Sequence, residues 1–190
     1  MDFVVIDVET CPVDKEKYLS LEEDGRKKFL NPIDSRIVAI GLKHSEKTVI
    51  LMDADEKQML EEFWAELTKF QKGNPSKKIV GFNIKDFDLP FLVTRSFIHN
   101  VKITPFLLKE VIDLREKLNA YKFGHLRGTL KEYGRFMGFE EAEMQGSQVC
   151  DVYWAGEHEK LKKYLKNDLL ITEKICQKLI ETRIMEIERW

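Results

Sequence analysis

DFVVIDVE, residues 2–9, is the stretch whose reading decides the fold. It is mostly apolar, β-branched at Val4, Val5, Ile6 and Val8, and about the length of one buried strand. Alternation along a strand puts Asp7 and Glu9 on the same face. Asp7 follows three apolar residues directly, which places it at the edge of the core. A lone carboxylate there is costly unless a cation or hydrogen-bond donors compensate it. Two readings stand at this point: a metal site, or a strand that ends in a polar turn marked by Pro12.

Working outward, RIVAIGLKH (36–44) and KTVILM (47–52) read as two further strands joined across Ser45-Glu46, a spacing that predicts an antiparallel hairpin. Residues 56–72 carry Met59, Leu60, Phe63, Trp64, Leu67 and Phe70 at helical spacing, a core-packing stripe, and Gly73-Asn74-Pro75 stops that helix. KKIVGFN (77–83) reads as a strand followed by a helix that starts near Pro90. KEVIDL (109–114) is a candidate short strand. Thr129 to Met137 reads as a helix stopped by Gly138, and a long helical pattern runs from about Glu157 to the end through Leu161, Leu165, Leu169, Ile175, Leu179 and Ile180. The order predicts an α/β fold: a mixed sheet flanked by helices.

At 190 residues the chain is expected to be a single domain over 1–190. Residues 13–35 fit no element of this scheme. They are polar, charged and partly helical in pattern, and they read either as a functional insertion or as a solvated excursion. No repeat, low-complexity tract or linker is visible. No apolar run approaches the roughly 20 residues of a membrane span, and Asp2 stands where a signal peptide would carry positive charge. A cytoplasmic location is the expectation. Cys11, Cys150 and Cys176 are odd in number and contain no CxxC pair, so they read as reduced thiols. The net charge of −2 excludes a whole-molecule basic field. A phosphate-bearing partner must then be held by a local patch or by bound metal ions.

Further carboxylates lie at two other points. GFNIKDFDLPFL (81–92) supplies Asp86 and Asp88, and Asp88 taken alone reads first as a helix N-cap. Tyr164 and Asp168 are four apart on the long helix and share a face, beside Lys160, Lys162, Lys163 and Lys166, which read as a solvated face or a phosphate-attracting strip. Hard divalent cations prefer carboxylate oxygens. Phosphodiester hydrolysis commonly uses two such ions roughly 3.5–4 Å apart. Asp7, Glu9, Asp88 and Asp168 form a set of that kind.

On these residues the chain resembles the DEDD superfamily of 3′–5′ exonucleases. VVIDVETCP (4–12) is similar to the first exonuclease motif. GFNIKDFDLPFL is similar to the second, in the form seen in the proofreading domain of family B DNA polymerases. Tyr164-Leu-Lys-Asn-Asp168 resembles the third motif of the tyrosine subclass; the histidine subclass has His where this chain has Lys163. GTLKEYGRFMGF (128–139) resembles the helix that often precedes the third motif. The resemblance spans residues 2 to about 176, and the chain is expected to be a stand-alone relative of that proofreading domain.

The resemblance implies a ribonuclease-H-like fold with a mixed five-stranded sheet. It also implies a two-metal mechanism with Mg²⁺ or Mn²⁺ that releases nucleoside 5′-monophosphates. Asp7, Glu9 and Asp168 would bind the first ion. Asp7 would also bind the second, with Asp88 reaching it largely through water. Tyr164 would orient the attacking water, and Thr10 and Asn83 would contact the terminal nucleotide. Asp88, not Asp86, takes the catalytic role in this alignment, and Asp113 is not assigned one. The expected partner is single-stranded DNA or a frayed 3′ end, with Tyr121 to Arg127 as a further candidate contact. An exoribonuclease and a catalytically silent nucleic-acid-binding module are the alternatives.

Overall fold

The computed structural model describes residues 1–74, 76–122, 124, 126–139 and 144–188, with the side chains of Glu23 and Asp24 left aside. The opening apolar run forms β1 (Phe3–Pro12), longer than the eight residues that announce it. β2 (Ser35–His44) and β3 (Lys47–Leu51) follow as the expected hairpin, turning through Ser45 at φ 50°. β4 (Lys78–Gly81) and β5 (Val111–Asp113) complete a five-stranded sheet of order β3-β2-β1-β4-β5. β1 pairs antiparallel with β2 and parallel with β4, and β4 pairs parallel with β5. The sheet is therefore mixed, with β1 at its centre.

Both faces of β1 are covered, which explains its near-continuous hydrophobicity. Val4, Ile6 and Val8 pack with α3 (Glu56–Gln71) and α4 (Asp88–Ile98) through Phe63, Trp64, Leu67, Phe91 and Leu92. Val5 packs on the opposite face with Leu169, Ile171 and Ile175 of α8 (His158–Glu181). Period-2 alternation continues that second face through Asp7 and Glu9, so both carboxylates project toward α8.

The segment 13–35 holds two short helices, α1 (Lys15–Leu19) and α2 (Glu23–Lys28). Tyr18 of α1 meets Phe29 and Trp154 edge-on. Trp154 closes α7 (Val149–Trp154), a short helix that the sequence pattern does not announce. α5 (Leu114–Leu118) follows β5 directly, and α6 (Leu130–Phe136) begins on a capping box between Thr129 and Glu132 and ends before Gly138 at φ 82°. The C-terminal helix does not run to the end of the chain. It stops at Glu181, Arg183 turns left-handed at φ 61°, and a single 3₁₀ turn (Ile184–Glu186) folds back. Lys117 holds that turn through the carbonyls of Met185 and Ile187. Among the described residues no helix is long and apolar enough to cross a membrane.

Candidate active site

Three elements bring the acidic residues together. Asp7 and Glu9 come from the centre of β1, and Asp168 comes from the middle of α8. One carboxylate oxygen from each lies within 4.8 Å of the others. Gly41 makes this approach possible. It sits opposite Asp7 on β2, and a Cβ at Gly41 would lie 2.7 Å from Leu169 and 3.1 Å from Leu165. The missing side chain lets α8 settle onto the sheet beside Asp7. A register shift between Glu9 and Thr10 ends the regular β1–β2 ladder at the same point, where a bulge re-aims the strand.

Asp88 closes the site from α4. β4 pairs only with Phe3–Val5, so the ladder on that side of β1 stops before Val8. Oδ1 of Asp88 accepts the Val8 N–H at 2.9 Å, and its carboxyl group is hydrogen-bonded to that of Asp7. Asp88 is the first residue of α4, and the helix N-cap is Phe87, which makes no side-chain cap. The capping reading of Asp88 therefore gives way: its carboxylate binds β1. Asp86 is exposed and stands apart from this arrangement.

The electrostatics are those of a crowd of like charges. Burial, then the charges of Asp88, Glu9 and Asp168, push the Asp7 carboxyl well above the usual range. Burial, then Asp168 and Asp88, do the same to Glu9. Burial pushes Asp88 up to about 7 against the relief given by Val8 N–H, and burial also raises Asp168. Desolvation disfavours the ionised form in each case; like charge adds to it at Asp7 and Glu9, and at Asp88 through Asp113, while Lys131 and Tyr164 oppose it at Asp168. Tyr164, one turn before Asp168 and buried, donates its hydroxyl to that carboxylate. Its own pKa is raised by burial and by Asp168, Glu9 and Asp7, so the phenol stays neutral near pH 7.

One group was not singled out from the sequence. Lys131, on α6, ion-pairs with Asp168 and holds its ammonium 4.2 Å from the centre of the Tyr164 ring. Its charge is also felt at Asp7 and Glu9, where it opposes the upward shift. The capping box Thr129-x-x-Glu132 marks the start of α6 in the sequence, but nothing local says which carboxylate Lys131 meets 37 residues away.

Thr10 follows Glu9 on β1 and Asn83 lies between β4 and α4; neither belongs to the acidic group. Thr10 is buried, and its carbonyl accepts from the Cys150 thiol at 3.5 Å. Asn83 is half-buried and left-handed at φ 63°, a conformation that Asn tolerates better than most residues. Asp113 fixes it: its carboxylate accepts the N–H groups of Asn83 and Lys85 as well as that of Arg115 in the first turn of α5. Arg115 donates to the Asn83 side-chain oxygen at 3.2 Å. Asp113 is thus a brace for the loop that carries Asn83. In the candidate contact segment Tyr121 to Arg127, Phe123 and His125 lie outside the described residues, as does Pro75 of the expected helix stop. Lys160 and Lys162 on α8 pair with Glu157 and Glu159, as a solvated face does.

Comparison with known proteins places this geometry in context. A family model described as the RNase_H superfamily matches residues 18–180, a span that contains Asp88, Tyr164 and Asp168 and begins after Asp7 and Glu9. An uncharacterized protein of Methanocaldococcus jannaschii is 36% identical over 168 residues, 83% of this chain and 93% of that protein. A DNA polymerase of Archaeoglobus fulgidus is 23% identical over 167 residues, which cover 78% of this chain and 21% of the polymerase. The structure of the family B DNA polymerase from the hyperthermophilic archaeon Pyrobaculum calidifontis aligns with 97% of this chain and 25% of its own length, with a TM-score of 0.70 at 17% identity. That last likeness is one of fold.

Proposed function

Because this chain belongs to the RNase_H superfamily and shares its fold, a mixed five-stranded sheet with flanking helices, we propose that it is a metal-dependent 3′–5′ exonuclease of the tyrosine subclass. The observation that carries this reading is the convergence of Asp7, Glu9 and Asp168 within 4.8 Å, with Asp88 bonded to Asp7. The donor set suits Mg²⁺ or Mn²⁺: it is all carboxylate, and the charges raise one another's pKa with one lysine opposing them. Asp7, Glu9 and Asp168 would hold one ion, and Asp7 with Asp88 a second. Such ions, when bound, neutralise developing phosphate charge and lower the pKa of water.

The chain's own groups then have distinct tasks. Tyr164, kept neutral by its surroundings, offers a hydroxyl that orients the attacking water and does not act as a base. Asp88 also ties α4 to β1, so the acids from strand and helix keep their spacing. Thr10 and Asn83 contact the terminal nucleotide, with Asn83 held in place by Asp113 and Arg115. The substrate is single-stranded DNA or a frayed 3′ end, because a terminal nucleotide must leave the duplex stack to reach carboxylates set between a strand and two helices.

The test uses DNA and RNA oligonucleotides labelled at the 5′ end, with Mg²⁺, with Mn²⁺ and with chelator. The expected result is a ladder shortened from the 3′ end on single-stranded DNA and abolished by chelator. Preferential digestion of RNA would move the substrate to the ribonucleic side, and tight binding of either strand with no cleavage in any metal would overturn the enzyme reading.

A further inference from the structure

Lys131 is delivered into the acid site by a built helix contact and not by a loose surface chain. The capping box fixes the first turn of α6. One turn later, Gly134 is buried where a Cβ would stand 3.2 Å from Ile171 of α8. Lys131 and Gly134 are three residues apart, as are their partners Asp168 and Ile171, so the two helices run side by side in register over this turn. The register aims Lys131 at Asp168. The ammonium also lies over the Tyr164 ring, where a cation is attracted to the π face. It therefore sits among the groups that the functional reading assigns to metal binding.

We propose that Lys131 is the resident cation of the metal-free site, compensating the acids until a divalent ion displaces it from Asp168. The inference rests on the metal-site reading above. An ammonium and a hard dication compete for the same Asp168 carboxylate and repel each other there, so binding the ion drives the lysine to withdraw. Its side chain is about one-third exposed, which leaves it a route outward. The metal's apparent affinity is then reduced by the fraction of molecules in which Lys131 occupies Asp168. The same pairing holds the metal-free fold together.

Two measurements test this, both independent of nuclease activity and made at pH 8, where protons compete least. Calorimetric titration of Mn²⁺ into wild type and Lys131→Met should show about ten-fold or more tighter binding in the variant, equivalent to about 1.4 kcal/mol. In chelator the variant should melt below wild type. Because the variant could fail to fold, wild type is also labelled with an amine-acetylating reagent, with and without Mn²⁺, and the modification of Lys131 is read by mass spectrometry. Mn²⁺ should raise it. Unchanged or weaker Mn²⁺ binding by Lys131→Met, or no rise in Lys131 labelling on saturating wild type, overturns the proposal and leaves the metal site standing. If wild type binds no Mn²⁺ at all, the proposed function falls and takes this inference with it.

Discussion

Two of the places where the molecule buries carboxylates are treated in opposite ways. Glu56, at the start of α3, accepts from Ile37 N–H at 2.7 Å and from Arg95 through Nε at 2.9 Å and Nη2 at 2.6 Å, and it lies 2.9 Å from His99 Nε2. Burial alone would raise its pKa, but the bonds from Arg95, Ile37 and His99 outweigh burial and the net shift is downward. At the other place, Asp7, Glu9, Asp88 and Asp168 face one another and a single lysine, and all four are shifted upward. Where the chain supplies the cation and donors itself, the buried acid is a fastening; here it ties α3 and α4 to β2, and through Arg95 to the Pro32 carbonyl. Where the chain withholds compensation, it leaves a demand that a divalent ion can meet.

The sharpest way to break this comparison is to exchange the consequences of two alanines. Asp7→Ala should bring cleavage below detection while leaving the chelated protein as stable as wild type or more so, since it removes a repelled charge. Glu56→Ala should do the reverse. Leaving Arg95 buried without its partner costs about 3–5 kcal/mol, read by denaturant unfolding, and the protein that remains folded should cleave at the wild-type rate. Loss of cleavage in folded Glu56→Ala would make that cluster part of the site.

Tyr164→Phe has the next largest expected effect. It removes a positioning hydroxyl and no proposed metal ligand, so single-turnover cleavage should slow by about 10²–10⁴-fold with Mn²⁺ affinity retained. A wild-type rate would remove Tyr164 from the mechanism.

The two places should also respond to pH with opposite sign. Glu56 has a lowered folded pKa, so its contribution to stability is present above its ordinary value of 4.5 and is lost as acid carries the pH through the folded value. Asp88 has a raised folded pKa, so the native state holds its proton more tightly than the unfolded chain does. Its contribution favours folding below 3.8 and is lost as pH rises from there through about 7. Melts in chelator across pH 4–8 should show that decline in wild type and a smaller one in Asp88→Asn. The smallest expected effect belongs to Asp86→Ala. Asp86 is exposed, and its loss should leave cleavage near wild type; a dead Asp86→Ala beside an active Asp88→Ala would invert the motif alignment.

The unequal legibility of the two places has a physical cause. Asp7 and Glu9 could be read because period-2 alternation is local, and the hairpin, the α3 stripe and the helices at residues 88 and 130 follow from equally local patterns. Asp88 and Asp168 could be grouped with them only as members of a carboxylate set suited to divalent ions and through the motif resemblance, since nothing within a few residues of either tells a ligand from a cap or a surface acid. The Glu56–Arg95 pair spans 39 residues and Lys131–Asp168 spans 37; both depend on how helices dock, and no local pattern announces them. No sequence pattern announces the short α7, because six residues are too few to show a period. The helical pattern overruns the C-terminal helix because apolar residues continue past Glu181, where the left-handed turn at Arg183 ends it.

The central claim is that four acids are left under-compensated for a metal ion that only the folded arrangement can bind. A pair of thermal melts tests it most directly, with chelator and with saturating Mn²⁺, on wild type and Asp88→Asn. Linkage requires the ion to raise the wild-type melting temperature. Asp88→Asn should melt in chelator at the wild-type temperature or above, and should gain less from Mn²⁺. A wild-type melt that saturating Mn²⁺ leaves unmoved, or a chelated Asp88→Asn that is strongly destabilised, would contradict the account and make Asp88 a structural tie between α4 and β1.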